Sequence, residues 1–258
     1  MPGVSSGLNS GLAMGISGPR SRPFSPARLS GLALWLDPSQ GITLNSGAVS
    51  QWDDKSGNGN DAAQATAANQ PLYKTAPDGI NSAPALLFDG ANDNLAVPAN
   101  APLADQFAGG GTRIFVYQGA GNGGTQVVRS GGGSDIIMRG AASAESLGFR
   151  SFRATTNGDW RVNIFDAGGA PNIIVITYDS DNVANDPAVR VNGVDTAIIG
   201  VTAPVGAALA DNGNRLLGAA SLSFAGRLGC NLEYDRILLV SEIAQVERYL
   251  ANIYGISI

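Results

Sequence analysis

The stretch Trp52-Asp53-Asp54-Lys55-Ser56-Gly57-Asn58-Gly59-Asn60 decides the fold that we predict for this chain. It continues the segment Ala48-Val49-Ser50-Gln51-Trp52, whose alternating residues would face opposite sides of a β-strand. The Asp, Asn and Gly residues after Trp52 tolerate left-handed backbone or bond their own main chain in turns. We therefore interpret this stretch as a strand that ends in a tight loop.

Two other segments have the same form. Leu34-Trp35-Leu36-Asp37 lies upstream, and Leu86-Leu87-Phe88-Asp89-Gly90-Ala91-Asn92-Asp93-Asn94-Leu95 lies downstream. The dipeptide Asn192-Gly193 is the one most able to form a type I′ hairpin turn. Further strands are predicted at residues 112–117, 126–129, 135–138, 147–152, 173–178, 188–191, 215–218 and 224–228. With 35 glycines and 14% charged residues, the composition also favours a turn-rich β protein.

The paired motifs at 52–60 and 86–95, together with the patterns at 224–228 and 232–238, resemble the LamG-like, concanavalin A-like jelly-roll family. The resemblance implies an all-β sandwich of two antiparallel sheets that occupies residues 31–258. Members of the family close with a short helix, and Glu247, Tyr249-Leu250 and Tyr254-Gly255 match its pattern.

One helix is predicted from spacing alone, at residues 242–254. Ile243, Val246, Leu250 and Ile253 recur at intervals of three and four residues, which places them on one face. Ser241 is the predicted cap and Gly255 the predicted end of this helix.

Residues 1–30 differ in composition from the rest of the chain. They are rich in Gly, Ser and Pro and contain no acidic residue, as is typical of a flexible tail. The alternative, which we adopt, is an extended docking arm, because such a segment can add to a neighbouring sheet edge through main-chain hydrogen bonds. The residues predicted to contact the partner are Leu8, Leu12, Met14, Ile16, Arg20, Arg22, Phe24 and Arg28. Since every predicted strand begins at Leu32 or later, we expect deletion of residues 1–30 to leave the melting temperature almost unchanged.

The composition excludes several classes of function. The net charge of −5 argues against a nucleic-acid-binding protein, which needs a basic face. No stretch is long and apolar enough to span a membrane, and the first residues lack the pattern of a secretion signal. Cys230 is the only cysteine, so no disulfide forms within the chain.

The sequence predicts a protein without enzymatic activity. Laminarinase-type glycosidases of this fold carry the motif Glu-x-Asp-x-x-Glu on one strand. The first glutamate is the nucleophile and the last is the acid. Glu233-Tyr234-Asp235 matches the beginning of that pattern, but Leu238 stands at the position of the acid. The chain has no histidine, which excludes Ser-His-Asp and Cys-His systems. We expect Glu233 to be either solvated or paired in the interior.

Acidic and amide side chains in the predicted loops are candidate calcium ligands. Ca²⁺ binds carboxylate and carbonyl oxygens, and the resemblance permits a site on the rim of the sandwich. The same residue types also form turns without any ion, and both interpretations stay open. The first candidates are Asp89, Asp93 and Asn94, followed by Asp53, Asp54, Asn58 and Asp61. No other cofactor is expected.

The three tryptophans could stack on sugar rings. Trp35 and Trp52 lie within apolar strand patterns, so we assign them to the core. Trp160 follows the turn-forming residues Asn157-Gly158-Asp159, and we expect it near the surface, where it could contact a glycan.

Three functions fit these observations. The preferred one is a structural protein of a virion, because LamG-like domains of this style are similar to phage accessory proteins that decorate capsids or form head and tail fibres. Its arm would bind other virion proteins or copies of the chain itself, after assembly in the host cytoplasm. The alternative is a lectin-like carbohydrate-binding module for surface glycans, and the third is a degenerate glycosidase. No nucleic-acid or membrane partner is expected.

Overall fold

The computed structural model describes residues 23–98, 100, 103–119, 126–130, 138–140, 146–164, 169–210, 213–218 and 223–258. The strands are β1 (Leu32–Leu36), β2 (Ile42–Asn45), β3 (Ala48–Trp52), β4 (Ala62–Ala63), β5 (Leu72–Lys74), β6 (Ala85–Asp89), β7 (Leu95–Val97), β8 (Gly111–Gly119), β9 (Gln126–Ser130), β10 (Met138–Gly140), β11 (Ser146–Ser151), β12 (Gly158–Asn163), β13 (Asn172–Tyr178), β14 (Ala188–Val191), β15 (Val194–Thr196), β16 (Ile198–Thr202), β17 (Arg215–Leu217) and β18 (Ala225–Tyr234). The helices are the α-helix α1 (Val240–Tyr254) and the 3₁₀ turns Pro26–Arg28 and Ala67–Asn69.

The strands form two antiparallel layers, as the sequence predicts. In sheet I, β18 pairs with β8 along one edge and with β6 and then β1 along the other. The sheet continues from β8 through β13 and β14 to β15. Sheet II has the order β2, β3, β4, β7, β17, β9, β10, β11, β12, β16. Strand β5 pairs with both β3 and β6 and so joins the two sheets at one side.

The main core lies between the sheets. Phe115 and Ile174 of sheet I belong to one buried cluster with Trp52, Val162 and Leu217 of sheet II. Because β8 and β13 are also covered on their other face by α1, they are buried on both sides. This explains the unbroken apolar run in β13.

Helix α1 packs its apolar stripe on the outer face of sheet I, where Val246 and Leu250 are fully buried. It begins two residues earlier than predicted, and Ser241 lies in its first turn instead of capping it. The Glu242 carboxylate accepts the Leu239 N–H at 2.8 Å at this end. Gly255 ends the helix with a φ of +59°, as predicted. No helix in the described part of the chain is long and apolar enough to cross a membrane.

Strands β2, β4, β5, β7, β12, β15 and β16 are additions to the prediction. Residues 61–77, where no strand was predicted, contain β4 and β5, and their Gln70 is buried. Strands β4, β5, β7 and β15 have only two or three residues, too few to show a period of two, whereas β2, β12 and β16 are longer and were missed for other reasons. The predicted Asn192-Gly193 turn is present with φ values of +49° and +80°, and it joins β14 to β15.

Residues 23–30 lie against the sandwich, which corrects the prediction that Phe24 reaches for a partner. The Phe24 ring packs edge-on against Tyr249, with 5.9 Å between ring centroids. Pro26 is buried, and its carbonyl accepts the Tyr234 hydroxyl at 3.3 Å. The packed unit therefore includes residues that we had assigned to the arm.

The other predicted arm contacts fall into two groups. Arg28 is exposed in the first 3₁₀ turn. The remaining ones, Leu8, Leu12, Met14, Ile16, Arg20 and Arg22, lie outside the described residues.

Two truncations test whether residues 23–30 belong to the packed unit. We expect deletion of residues 1–30 to lower the free energy of unfolding by about 1–3 kcal/mol relative to deletion of residues 1–22, because it also removes the apolar contacts of Phe24 and Pro26. Urea unfolding of both proteins measures the difference. Identical midpoints would restore the original boundary at residue 30.

Candidate functional site

A cleft of about 370 Å³ lies at the end of the sandwich where loops from both sheets meet, and we call it the rim cleft. Its walls come from four segments: the loop before β8, the end of β11, the loop after β13 and the segment after β16. Strands β8 and β13 run antiparallel, with Gly111 opposite Tyr178, so the first and third segments meet at one end of sheet I. The lining residues are Asp105, Phe107, Ser151, Ser180, Asp181, Leu209 and four alanines.

Main-chain hydrogen bonds hold these segments together. The Ser180 N–H donates to the Phe107 carbonyl at 2.8 Å and so joins two walls of sheet I. The Leu209 N–H donates to the Phe152 carbonyl at 3.2 Å, which ties the last segment to the end of β11. The rim cleft is therefore formed by backbone that is fixed on more than one side.

Two buried serines are part of the lining. Ser151 is 3% exposed and Ser180 is 8% exposed, and both line the rim cleft. Neither hydroxyl forms a hydrogen bond to any residue that the structure describes. Neither oxygen is among the buried polar atoms that lack a partner, so both hydroxyls open to the cleft and can bond a polar ligand.

The rim adds two carboxylates and an apolar surface. Asp105 and Asp181 are exposed, and no Lys, Arg or His is among the described residues that line the cleft. Phe107 and Leu209 provide apolar contacts beside them. A largely preformed cleft with a few convergent polar groups is the usual form of a small-ligand site.

A buried arginine supports the wall that carries Ser180. Arg153 is 4% exposed, and its Nη1 donates to the Ser180 carbonyl at 2.7 Å. Its Nη2 donates to the Tyr178 hydroxyl at 2.6 Å. These bonds fix the position of Ser180 from behind the cleft.

Trp160 is not at the surface, contrary to our prediction. It is 1% exposed and packs against Phe149 and Tyr178, with ring centroids 5.5 Å and 5.3 Å away. Its Nε1 donates to the Asp186 carboxylate at 2.6 Å. Gly158 begins strand β12 and leaves room for the indole, since a Cβ there would lie 2.3 Å from the ring. Trp160 therefore cannot stack on a glycan. The core assignments of Trp35 and Trp52 are confirmed.

Glu233 is the centre of a buried ionic cluster between the sheets. Its Oε2 accepts Arg113 Nη2 at 3.1 Å and Arg215 Nε at 3.3 Å, and all three side chains are at most 1% exposed. Arg113 and Glu233 belong to sheet I, whereas Arg215 belongs to β17 of sheet II. We call Arg113, Glu233 and Arg215 the Arg-Glu-Arg cluster.

The Arg-Glu-Arg cluster holds the loop before β8. Arg113 Nη2 donates to Gln106 Oε1 at 2.8 Å, and Arg215 Nη2 donates to the Leu103 carbonyl at 2.7 Å. The Arg113 guanidinium also lies 5.5 Å from the centroid of the Phe107 ring. The cluster thus positions a wall of the rim cleft.

This arrangement decides between the two predicted states of Glu233. The carboxylate is paired in the interior, and its 0% exposure keeps it out of reach of a substrate. The broken glycosidase motif therefore has a structural role in this chain.

The first group of predicted calcium ligands makes turn bonds. Asp89 Oδ1 accepts the Ala91 N–H at 2.8 Å, and Asp93 Oδ2 accepts the Asp89 N–H at 2.9 Å. Asn94 Oδ1 accepts Gln64 Nε2 at 2.8 Å. The bond from Ala91 lowers the pKa of Asp89, whereas burial raises the pKa of Asp93. These oxygens are thus used within the loop.

The second group is similar. Asp54 Oδ1 accepts the Trp35 N–H at 2.9 Å, and Asp61 Oδ1 accepts the Asp54 N–H at 2.8 Å. Asn58 donates to main-chain carbonyls of β1, and Asp53 accepts a glutamine amide. Within the described ranges, no three Asp, Glu, Cys or His side chains are grouped as metal ligands would be.

The residues of the rim cleft were missed in the sequence. Ser151 is the last residue of β11 and Ser180 lies two residues after β13, and neither belongs to a recognisable sequence motif. One signal was available, because Asp179-Ser180-Asp181-Asn182 follows the most apolar strand as a run of turn formers.

Comparison with known proteins identifies the fold. No family model and no curated protein matches the sequence. Among solved structures, the binding domain of Paraclostridial Mosquitocidal Protein 1 has a TM-score of 0.63 at 16% identity, over 86% of this chain and 53% of that one. The binding domain of Botulinum Neurotoxin DC in complex with SialylT has a TM-score of 0.60 at 12% identity, over 86% and 52%. Trypanosoma rangeli sialidase has a TM-score of 0.56 at 19% identity, over 87% and 34%.

This chain thus spans about half the length of the two toxin binding domains. At these identities the similarity shows the fold alone. The chain has the antiparallel β-sandwich fold that these binding domains contain.

Removal of one member tests the Arg-Glu-Arg cluster. We expect Glu233→Ala to lower the free energy of unfolding by about 3–5 kcal/mol, because it leaves two buried guanidinium groups without their carboxylate. The control is Asp159→Ala in the pair with Arg150, whose side chains are 30% and 25% exposed. That change should lower the free energy by less than about 1 kcal/mol. Equal effects in urea unfolding would contradict the structural role of Glu233.

Chelation tests the calcium candidates. If the loop oxygens only form turns, EDTA will not change the melting temperature. A calcium site filled at a hundred times its dissociation constant would stabilise the fold by about 2.7 kcal/mol. A fall in melting temperature with EDTA that added Ca²⁺ reverses would show that a site exists.

Proposed function

We propose that this chain is a non-catalytic carbohydrate-binding domain that holds a glycan in the rim cleft. The observation that carries the proposal is the pair of hydroxyls of the buried residues Ser151 and Ser180, which open to a preformed cleft and have no partner among the described residues. Sugar hydroxyls both donate and accept hydrogen bonds, so they can satisfy both serines.

The other lining groups also suit a sugar. Asp105 and Asp181 accept hydrogen bonds from hydroxyls, and bonds to charged acceptors are the stronger kind. Phe107 and Leu209 offer apolar surface to the C–H groups of a sugar ring. The volume of about 370 Å³ lies within the range of small-ligand clefts, about 300–1,000 Å³.

The similar structures support the proposal without deciding it. Two of them are binding domains of toxins, and one of these was solved in complex with SialylT. They support a non-catalytic binding role for a sandwich of this kind. A shared fold leaves the ligand to be argued from the site itself.

The virion role that we favoured from the sequence stays a prediction. Most of the residues that would dock the arm, at positions 8–22, lie outside the described part of the chain. A glycan-binding sandwich is compatible with attachment to a larger particle.

Co-sedimentation of the protein lacking residues 1–22 with particles that lack this protein would test the arm separately. We expect the truncated protein not to join the particles.

A glycan microarray and serine variants test the proposal. We expect the full chain to bind at least one class of printed glycan, and Ser151→Ala or Ser180→Ala to weaken binding about three- to tenfold, the effect of one hydrogen bond. Titration calorimetry with the best glycan measures the change. Ser241→Ala, on the first turn of α1, is the matched control and should bind normally.

Two outcomes would contradict a glycan site in the rim cleft. One is an array without bound glycans when the protein is folded and unmodified. The other is glycan binding that survives Ser151→Ala/Ser180→Ala unchanged, since the doubly substituted cleft keeps its shape and loses both hydroxyls.

A further inference from the structure

We infer that the rim cleft selects neutral sugars and rejects sugars that carry a carboxylate on the ring it contacts. This inference rests on the proposed function and names the ligand class of the same site. It follows from the charges that surround the two free hydroxyls.

The charged residues among the described lining are both acidic. Asp105 and Asp181 both line the cleft and are exposed. Asp181 forms no ion pair or side-chain hydrogen bond with the part of the chain that the structure describes. Asp179 adds a third carboxylate in the same loop, and its Oδ1 accepts the Asp181 N–H at 3.0 Å. A ligand carboxylate would therefore enter a region of like charge.

One cation lies behind the wall, where its two terminal nitrogens are bonded and its Nε is buried without a partner among the described residues. Arg153 is 4% exposed and directs Nη1 and Nη2 to the Ser180 carbonyl and the Tyr178 hydroxyl. Protein groups therefore occupy the two terminal nitrogens that would otherwise form a bidentate pair with a carboxylate.

The arginines of the Arg-Glu-Arg cluster are at most 1% exposed, so a ligand in the cleft does not reach them. Arg113 and Arg215 bond Glu233 and the loop residues Leu103 and Gln106 in the interior. Neither is among the residues that line the cleft. Among the described residues, a carboxylate in the rim cleft would thus meet acidic side chains and no accessible guanidinium.

A neutral sugar has the opposite fit. Its hydroxyls can donate to the carboxylates of Asp105 and Asp181 while they exchange hydrogen bonds with Ser151 and Ser180. A hexuronide would bring its carboxylate close to these aspartates, and repulsion between like charges would weaken its binding. The effect should be largest at low ionic strength, because salt screens exposed charges.

Matched sugars that differ only at C6 test the inference. The probes are the methyl glycosides of glucose, galactose and mannose and the corresponding methyl hexuronides, in which a carboxylate replaces the CH₂OH group. NMR titration of the full chain at low ionic strength measures each dissociation constant. For the sugar that binds, we expect the dissociation constant of the neutral hexoside to be at least about tenfold lower than that of its hexuronide.

Charge variants separate electrostatic from steric selection. Asp181→Asn, alone and with Asp105→Asn, keeps the size of each side chain and should narrow the preference for the neutral sugar by about threefold or more. Asp78→Asn is the control, because this exposed aspartate lies beside Arg227, near the end of β8 that is remote from the rim cleft.

Each outcome has a defined meaning. Equal binding of hexoside and hexuronide overturns the inference and leaves the proposed function in place. A preference that the Asn variants do not change also overturns it, because the selection is then steric. If no hexoside binds and the glycan array is also empty, the proposed function fails and the inference fails with it.

Discussion

The structure depends on one carboxylate shared by two arginines from opposite sheets. Glu233 Oε2 lies 3.1 Å from Arg113 Nη2 and 3.3 Å from Arg215 Nε, in an interior where none of the three side chains is more than 1% exposed. Removing such groups from water is costly, and a buried pair seldom stabilises a fold more than apolar residues would. In this chain the cluster positions the loop before β8, because the same arginines also bond Gln106 and the Leu103 carbonyl.

The position of that loop determines the rim cleft. Gln106 is held by the Arg-Glu-Arg cluster, and the next residue, Phe107, lines the cleft and accepts the Ser180 N–H. Arg153 fixes Ser180 from the other side. The backbone of Ser180 is therefore held from both sides, and that of Ser151 by its strand pairing with Gly158, before any ligand arrives. Preorganisation of this kind lowers the conformational entropy that binding would otherwise lose.

The sequence was sufficient to predict the sandwich, because its signals are local. Strand β13 is an unbroken apolar run, Asn192-Gly193 forms the predicted turn, and Gly255 ends α1. The sequence left two possible environments for Glu233, solvated or paired in the interior, and the structure shows that it is paired in the interior. Local patterns failed where tertiary packing decided the outcome. Trp160 follows turn residues but is drawn into the core by its aromatic neighbours and by the space at Gly158. The rim cleft combines residues from four separate segments, so no single stretch of sequence could reveal it.

A crystal structure of the protein soaked with the neutral methyl hexoside that binds most tightly would be the most direct test of the rim cleft as a glycan site. We predict electron density for the sugar between Ser180 and Leu209, with ring hydroxyls at hydrogen-bonding distance from the Oγ atoms of Ser151 and Ser180. Density for the sugar at another surface, with an empty rim cleft, would contradict the assignment.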